Sequence, residues 1–160
     1  MADTQYLDGL LNQFLAKFPL ESLQTMSLEQ DTDVVEKGKT NDSFTYWVES
    51  KTRELGSIKG GSSEKFNIYK YNKTPTSKYF LHDNTYTWYA RLGQTKDEAW
   101  EKTRGIIYEV AKLASEKKFS EIDKIEELWP GYKWKIAFLY SNKTILNTFK
   151  LEAINEPNPI

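Results

Sequence analysis

Tyr132-Lys133-Trp134-Lys135-Ile136-Ala137-Phe138-Leu139-Tyr140 decides how much of this chain is sheet. Tyr132, Trp134, Ile136, Phe138 and Tyr140 alternate with Lys133, Lys135, Ala137 and Leu139. A period of two is the mark of a strand with one apolar face, so the spacing predicts a strand here. Trp129-Pro130-Gly131 reads as a break before it. Ser141-Asn142-Lys143 reads as a turn into a further extended run, Thr144 to Phe149.

Upstream, two more runs carry strand character: Phe66-Asn67-Ile68-Tyr69-Lys70-Tyr71 and Tyr86-Thr87-Trp88-Tyr89-Ala90-Arg91. A turn-rich connection from Asn72 to Ser77 follows the first, and Gly93 closes the second. Thr95-Lys96-Asp97-Glu98 is a capping box that opens the longest helix, to about Lys118. Its buried stripe is Trp100, Thr103, Ile107, Val110, Ala111 and Ala114, widened by Ile106 and Leu113. A short helix is expected from Ser120 to Leu128. At the N-terminal end, Leu7, Leu10, Leu11, Phe14, Leu15 and Phe18 have helical spacing, and Pro19 ends that helix. A short helical piece follows over Leu20, Leu23, Met26 and Leu28, then a polar loop over 29–42. A third helix starts with Asn41 or Asp42 as N-cap, buries Phe44, Trp47, Val48 and Leu55, and stops at Gly56. Helices, strands, a long helix and strands again define an α+β class: one domain over 1–154, a small mostly antiparallel sheet with helices on one side, and a tail or linker over 155–160.

Composition removes many functions. The 160 residues contain no cysteine and one histidine, His82. Disulfide scaffolds, thiolate zinc sites, cysteine nucleophiles and multi-histidine metal sites are excluded. No basic leader and no apolar run of membrane-spanning length occurs, which favours a cytoplasmic protein. Asn72-Lys73-Thr74 and Asn142-Lys143-Thr144 match a glycosylation pattern but read as turns. Gly56 and Gly61 have the spacing of a phosphate-binding loop, but Ser62 stands where the lysine must be, and the loop runs from helix to strand. Glu49-Ser50-Lys51 has a nuclease-like spacing on a helix face, and His82-Asp83 reads as a loop pair. Neither assembles a catalytic set, so no catalytic residue, metal or cofactor is assigned.

Local charge says more than the net charge of −1. Residues 51–81 hold seven basic residues and two acidic ones, for +5, while residues 1–50 carry −6. The basic segment contains Gly56-Ser57-Ile58-Lys59-Gly60-Gly61-Ser62-Ser63 and is interleaved with Phe66, Tyr69, Tyr71, Tyr79 and Phe80, followed by Tyr86, Trp88 and Tyr89. Lysines for phosphates beside flat rings for bases are what nucleic-acid readers use. The expected phosphate contacts are Lys51, Arg53, Lys59, Ser62, Ser63, Lys65, Lys70 and Lys73. The expected base-stacking residues are Tyr69, Tyr71, Tyr86, Trp88 and Tyr89, of which some must be core because one sheet face alone can serve as a pocket. The competing reading takes the exposed aromatics as a protein-interaction or assembly surface. A standalone nuclease or hydrolase, acting through Glu49 or His82, has little support.

Leu55-Gly56-Ser57-Ile58-Lys59-Gly60-Gly61-Ser62, Tyr89-Ala90-Arg91-Leu92-Gly93 and Trp134-Lys135-Ile136-Ala137-Phe138-Leu139-Tyr140 together resemble the N-terminal region ahead of the AAA+ GTPase motor in McrB-type, modified-cytosine-dependent restriction proteins. The resemblance covers most of residues 5–154. It implies a DNA-recognition domain of a restriction or phage-defence system. Its partner would be double-stranded DNA carrying a modified base, sometimes flipped into an aromatic pocket. The AAA+ motor would lie in cis and the nuclease in a separate subunit. No pocket motif aligns, so the family's base-binding residues do not transfer one by one.

Overall fold

A computed structural model describes residues 4–32, 42–58, 63–71 and 73–142. The architecture is α+β: six helices and a three-stranded antiparallel sheet, among the described residues, sharing one hydrophobic core. The strand expected at 132–140 is instead a helix, α6 (Pro130–Tyr140). Pro130 occupies the first turn, where a missing N–H costs nothing and the fixed φ suits a helix. Every residue from Tyr132 to Tyr140 is buried. The alternation misleads because it assumes that the lysines face water. Lys133 sends its Nζ to the carbonyl of Ile125 at 2.7 Å, and Lys135 sends its own to the carbonyls of Thr52, at 2.9 Å, and Gly56. A helix enclosed on all sides has no polar stripe to reveal its period.

The other helices dock on α6 or on one another. α1 (Thr4–Lys17) buries Leu10, Leu11 and Phe14 as its spacing predicts. A 3-10 turn (Leu20–Gln24) and α2 (Leu28–Thr32) carry Leu23, Met26 and Leu28 into the same core. The third helix differs from expectation. Ser43, not Asn41 or Asp42, is its N-cap, its hydroxyl accepting from the Tyr46 N–H at 3.2 Å. After one turn, α3 (Phe44–Tyr46) widens into a π-helical turn (Trp47–Lys51) and tightens again into a 3-10 turn (Arg53–Leu55). Thr52 explains the change, since its N–H and hydroxyl both reach the carbonyl of Trp47, at 3.1 and 2.7 Å.

α4 (Lys96–Ser115) buries its expected stripe except Leu113, which is half-buried, and opens with the Thr95 hydroxyl accepting from the Glu98 N–H at 3.1 Å. α5 (Phe119–Asp123) is shorter than the expected 120–128 helix. The sheet has β1 (Ile68–Lys70), β2 (Phe80–His82) and β3 (Tyr86–Tyr89), with β3 in the middle. β1 and β3 lie within the two runs expected to be strands, and a 3-10 turn (Ala90–Leu92) replaces the end of the second. β2 was not expected. The Thr144–Phe149 run, the 155–160 tail, and Asn41 among the proposed caps lie outside the described residues.

Two buried ionisable groups give the fold opposite responses to pH. Asp31 is fully buried with neither carboxylate oxygen hydrogen-bonded, and burial pushes its carboxyl well above the usual range. Burial pushes Lys135 down to about 7. A raised acid gives stability that is fully present below the unfolded value of 3.8 and falls as pH rises above it. A depressed lysine makes the unfolded state bind more protons between about 7 and 10.5, so stability rises with pH across that window. In urea titrations at stepped pH, Asp31→Asn should remove the loss above pH 4 and raise stability at pH 7. Lys135→Met should flatten the alkaline rise, whose slope is at most about 1.4 kcal/mol per pH unit. Parallel profiles for wild type and variants would contradict this. Trp134→Ala should cost about 3–5 kcal/mol.

Candidate nucleic-acid interface

Register divides the sheet into two faces. Ile68 pairs with Trp88, which pairs with Leu81, and Lys70 pairs with Tyr86. Ile68, Tyr86 and Trp88, with Leu81 packed against them, turn toward the core, where α4 packs on β1 and β3. On the other face Tyr69 pairs with Thr87, Thr87 with His82, and Tyr89 with Phe80. Tyr71 continues this face, its ring 5.7 Å from the imidazole of His82. Phe80 and Tyr89 stack at 4.4 Å with a 32° tilt. The Arg91 guanidinium lies 4.7 Å from the centre of the Tyr89 ring. Thr87, between these rings, is fully buried and donates its hydroxyl to the carbonyl of Leu81 at 2.8 Å.

This division sorts the expected base-stacking residues. Tyr86 and Trp88 are corrected to core residues, 5% and 3% exposed. The Tyr86 hydroxyl accepts from Thr32 at 3.2 Å, and the Trp88 indole donates to the carbonyl of Gly93 at 3.1 Å. Tyr69, Tyr71 and Tyr89 remain half-buried on the outer face. Burial first, and then the negative charge of Glu64, raises the hydroxyl pKa of both Tyr69 and Tyr89. They are therefore neutral rings at physiological pH, as stacking requires.

The expected phosphate contacts differ in exposure. Lys65 is corrected to an interior residue: its ammonium pairs with the Glu49 carboxylate and donates to the carbonyl of Ile58 at 3.3 Å. Glu49, from the Glu49-Ser50-Lys51 triplet, is thus paired with Lys65. Lys51, Arg53, Ser63 and Lys73 are exposed. Lys51 lies 5.7 Å from the Trp47 ring. Lys70 is half-buried, its ammonium 5.9 Å from the Tyr86 ring. Lys59 and Ser62 lie outside the described residues. The stems of the Gly/Ser loop are nevertheless held, because Lys135 grips the carbonyls of Thr52 and Gly56 and Lys65 grips that of Ile58.

Residues missed in the sequence complete the outer face: Phe80, His82 and Arg91. The alternation of Phe80 and His82 just before a turn was the available signal. That turn is tied by the Asp83 carboxylate, which accepts from the N–H groups of Thr85 and Tyr86 at 2.7 and 2.6 Å. Burial opposes its ionisation, but these backbone donors and Lys96 hold Asp83 below the ordinary carboxylate range. A groove of about 700 Å³ runs from Pro75 along Phe80, Leu81 and His82 to Gln94 and Lys96 at the start of α4. His82 is exposed, and its Nδ1 lies 3.3 Å from the carbonyl of Asp83. Among the described residues no cluster of three His, Cys, Asp or Glu could hold a metal ion. Among the same residues no helix is long and apolar enough to cross a membrane. No family model, curated protein or solved structure matches the chain.

The two faces should separate in denaturant titrations. Trp88→Ala should cost about 3–5 kcal/mol, whereas Tyr71→Ala, which removes a half-buried ring and its hydroxyl's bond to the Asp83 carbonyl, should cost about 1–2 kcal/mol. Equal losses would mean that the outer rings belong to the core.

Proposed function

We propose that the chain is a DNA-binding specificity domain, a reader of modified bases in an McrB-like restriction or phage-defence system. The observation that carries this reading is the outer sheet face, where Tyr69, Tyr71, Phe80, His82 and Tyr89 lie side by side within and just after the segment of +5 charge. An open antiparallel sheet with aromatic rings on its free face suits the stacking of bases taken out of a helix. The groove beside β2 offers an extruded base a lodging bordered by His82. Lys51, Arg53, Lys73 and Ser63, with the Gly/Ser loop that contains Lys59 and Ser62, serve the phosphates. Recognition is this domain's share. A GTPase motor in cis and a nuclease subunit in trans supply the chemistry, in the cytoplasm.

A protein-interaction domain is the second reading, favoured by the exposure of Tyr6 (52%) and Trp129 (44%), neither of them in the sheet. It predicts concentration-dependent association without DNA in sedimentation velocity.

Fluorescence anisotropy with methylated, hydroxymethylated and plain duplexes across a salt series tests the leading reading. Binding should weaken steadily with salt. Tyr69→Ala or Tyr89→Ala should weaken it about tenfold, mostly by loss of preference for the modified duplex. No binding at low salt, or no salt dependence, overturns the reading.

A further inference from the structure

At one corner of the sheet the turn before β2 meets the end of β3, joined by the Ala90 N–H donating to the carbonyl of Tyr79 at 2.8 Å. Three residues belong to this corner: Tyr79, its neighbour Lys78, and Arg91, which follows Ala90. Tyr79 is 66% exposed, the largest exposure of any large apolar or aromatic residue among those described. Lys78 is exposed, its ammonium 5.6 Å from the Tyr79 ring. Arg91 is exposed and laid against Tyr89, which in turn stacks on Phe80. We propose that this corner binds an unpaired nucleotide, Arg91 and Lys78 taking the phosphates and the Tyr79 ring taking the base. The inference rests on the DNA-binding reading and adds a site outside the residues assigned to it above.

Charge is the first argument. Lys65, Lys133 and Lys135 are consumed inside the fold. Lys78 and Arg91, among the described residues, have no carboxylate within ion-pair distance. Glu64, the acid that acts on Tyr69 and Tyr89, precedes β1. Asp83 closes the turn at the far end of β2, and neither it nor Glu64 forms an ion pair with Lys78 or Arg91.

Preorganisation is the second argument. A guanidinium resting on a ring has lost much of its rotamer freedom before it meets a ligand, and its planar fork suits phosphate oxygens. Tyr79 does the opposite of what a tyrosine gains by folding, since it leaves most of its ring in water. A base face would cover it. Bases inside a duplex have both faces stacked, so only an unpaired or extruded base can do so. An acidic peptide would satisfy the cations but leave the ring unused. A nucleotide satisfies both within one unit.

The test uses the whole chain and two labelled probes, a short oligothymidylate and a blunt unmodified duplex, in anisotropy titrations across a salt series. Melting curves check that each variant is folded. Tyr79→Ala should weaken oligothymidylate binding about tenfold and leave blunt-duplex binding within about twofold, while Tyr79→Phe should bind like wild type. Arg91→Ala should weaken binding and lower the salt slope by about 0.7, the share of one phosphate on a single strand. Arg91→Lys should restore the slope but not the full affinity. If wild type binds the probes and these variants bind equally well, the corner is overturned while the DNA-binding reading stands. If a polyglutamate peptide displaces the oligonucleotide as well as unlabelled oligothymidylate does, the corner reads negative charge alone and the nucleotide assignment is overturned. If wild type binds no DNA at low salt, both fall together.

Discussion

The ammonium of Lys135, closed inside the protein against the carbonyl oxygens of Thr52 and Gly56, is the interaction on which the arrangement depends. It lets a helix with lysine in its sequence sit where a purely apolar one would be expected. It also adds a donor to the carbonyl of Thr52, which already accepts from the Leu55 N–H at 2.9 Å, and to that of Gly56, where the chain leaves the π turn through a 3-10 turn. A buried amine without acceptors would be severely destabilising, while one that caps two carbonyls exchanges one set of hydrogen bonds for another. Lys133, two residues earlier on α6, does the same for Ile125. With α6 secured in this way, α4 packs along it and the sheet packs on α4.

That order of packing determines what the sheet can do. α4 covers the face bearing Ile68, Tyr86 and Trp88 and leaves Tyr69, Tyr71 and Tyr89 outside. The outer rings gain support from one another and from Thr87 beneath them, so they form a surface with fixed geometry instead of a set of loose side chains. Asp83 adds to this by tying the β2–β3 turn through two backbone N–H groups.

Legibility in the sequence followed locality. α1 and α4 could be read because their stripes repeat with helical spacing and Thr95 and Glu98 stand next to each other in the fold as in the chain. α6 could not, because whether Lys133 and Lys135 reach water or a carbonyl 8 or 83 positions away is decided by tertiary packing. β2 was hidden by its length of three residues. The candidate site was half legible for a similar reason. β3 carries aromatics on both faces, so the alternation shows that Tyr86 and Trp88 oppose Tyr89 without saying which side meets α4. Lys65 was misplaced because its partner, Glu49, comes from an element 16 positions away.

The sheet's dimensions bear on whether a chain so rich in tyrosine, phenylalanine and tryptophan could grow by adding strands from other copies. Both outer strands, β1 and β2, are three residues long. An edge of that length offers a foreign strand only one or two free backbone pairs, too few to template cross-strand growth. Stickiness is thereby uncoupled from fibril-like propagation: the rings can meet a ligand face-on, while the backbone beside them offers almost nothing to a neighbouring copy of the chain.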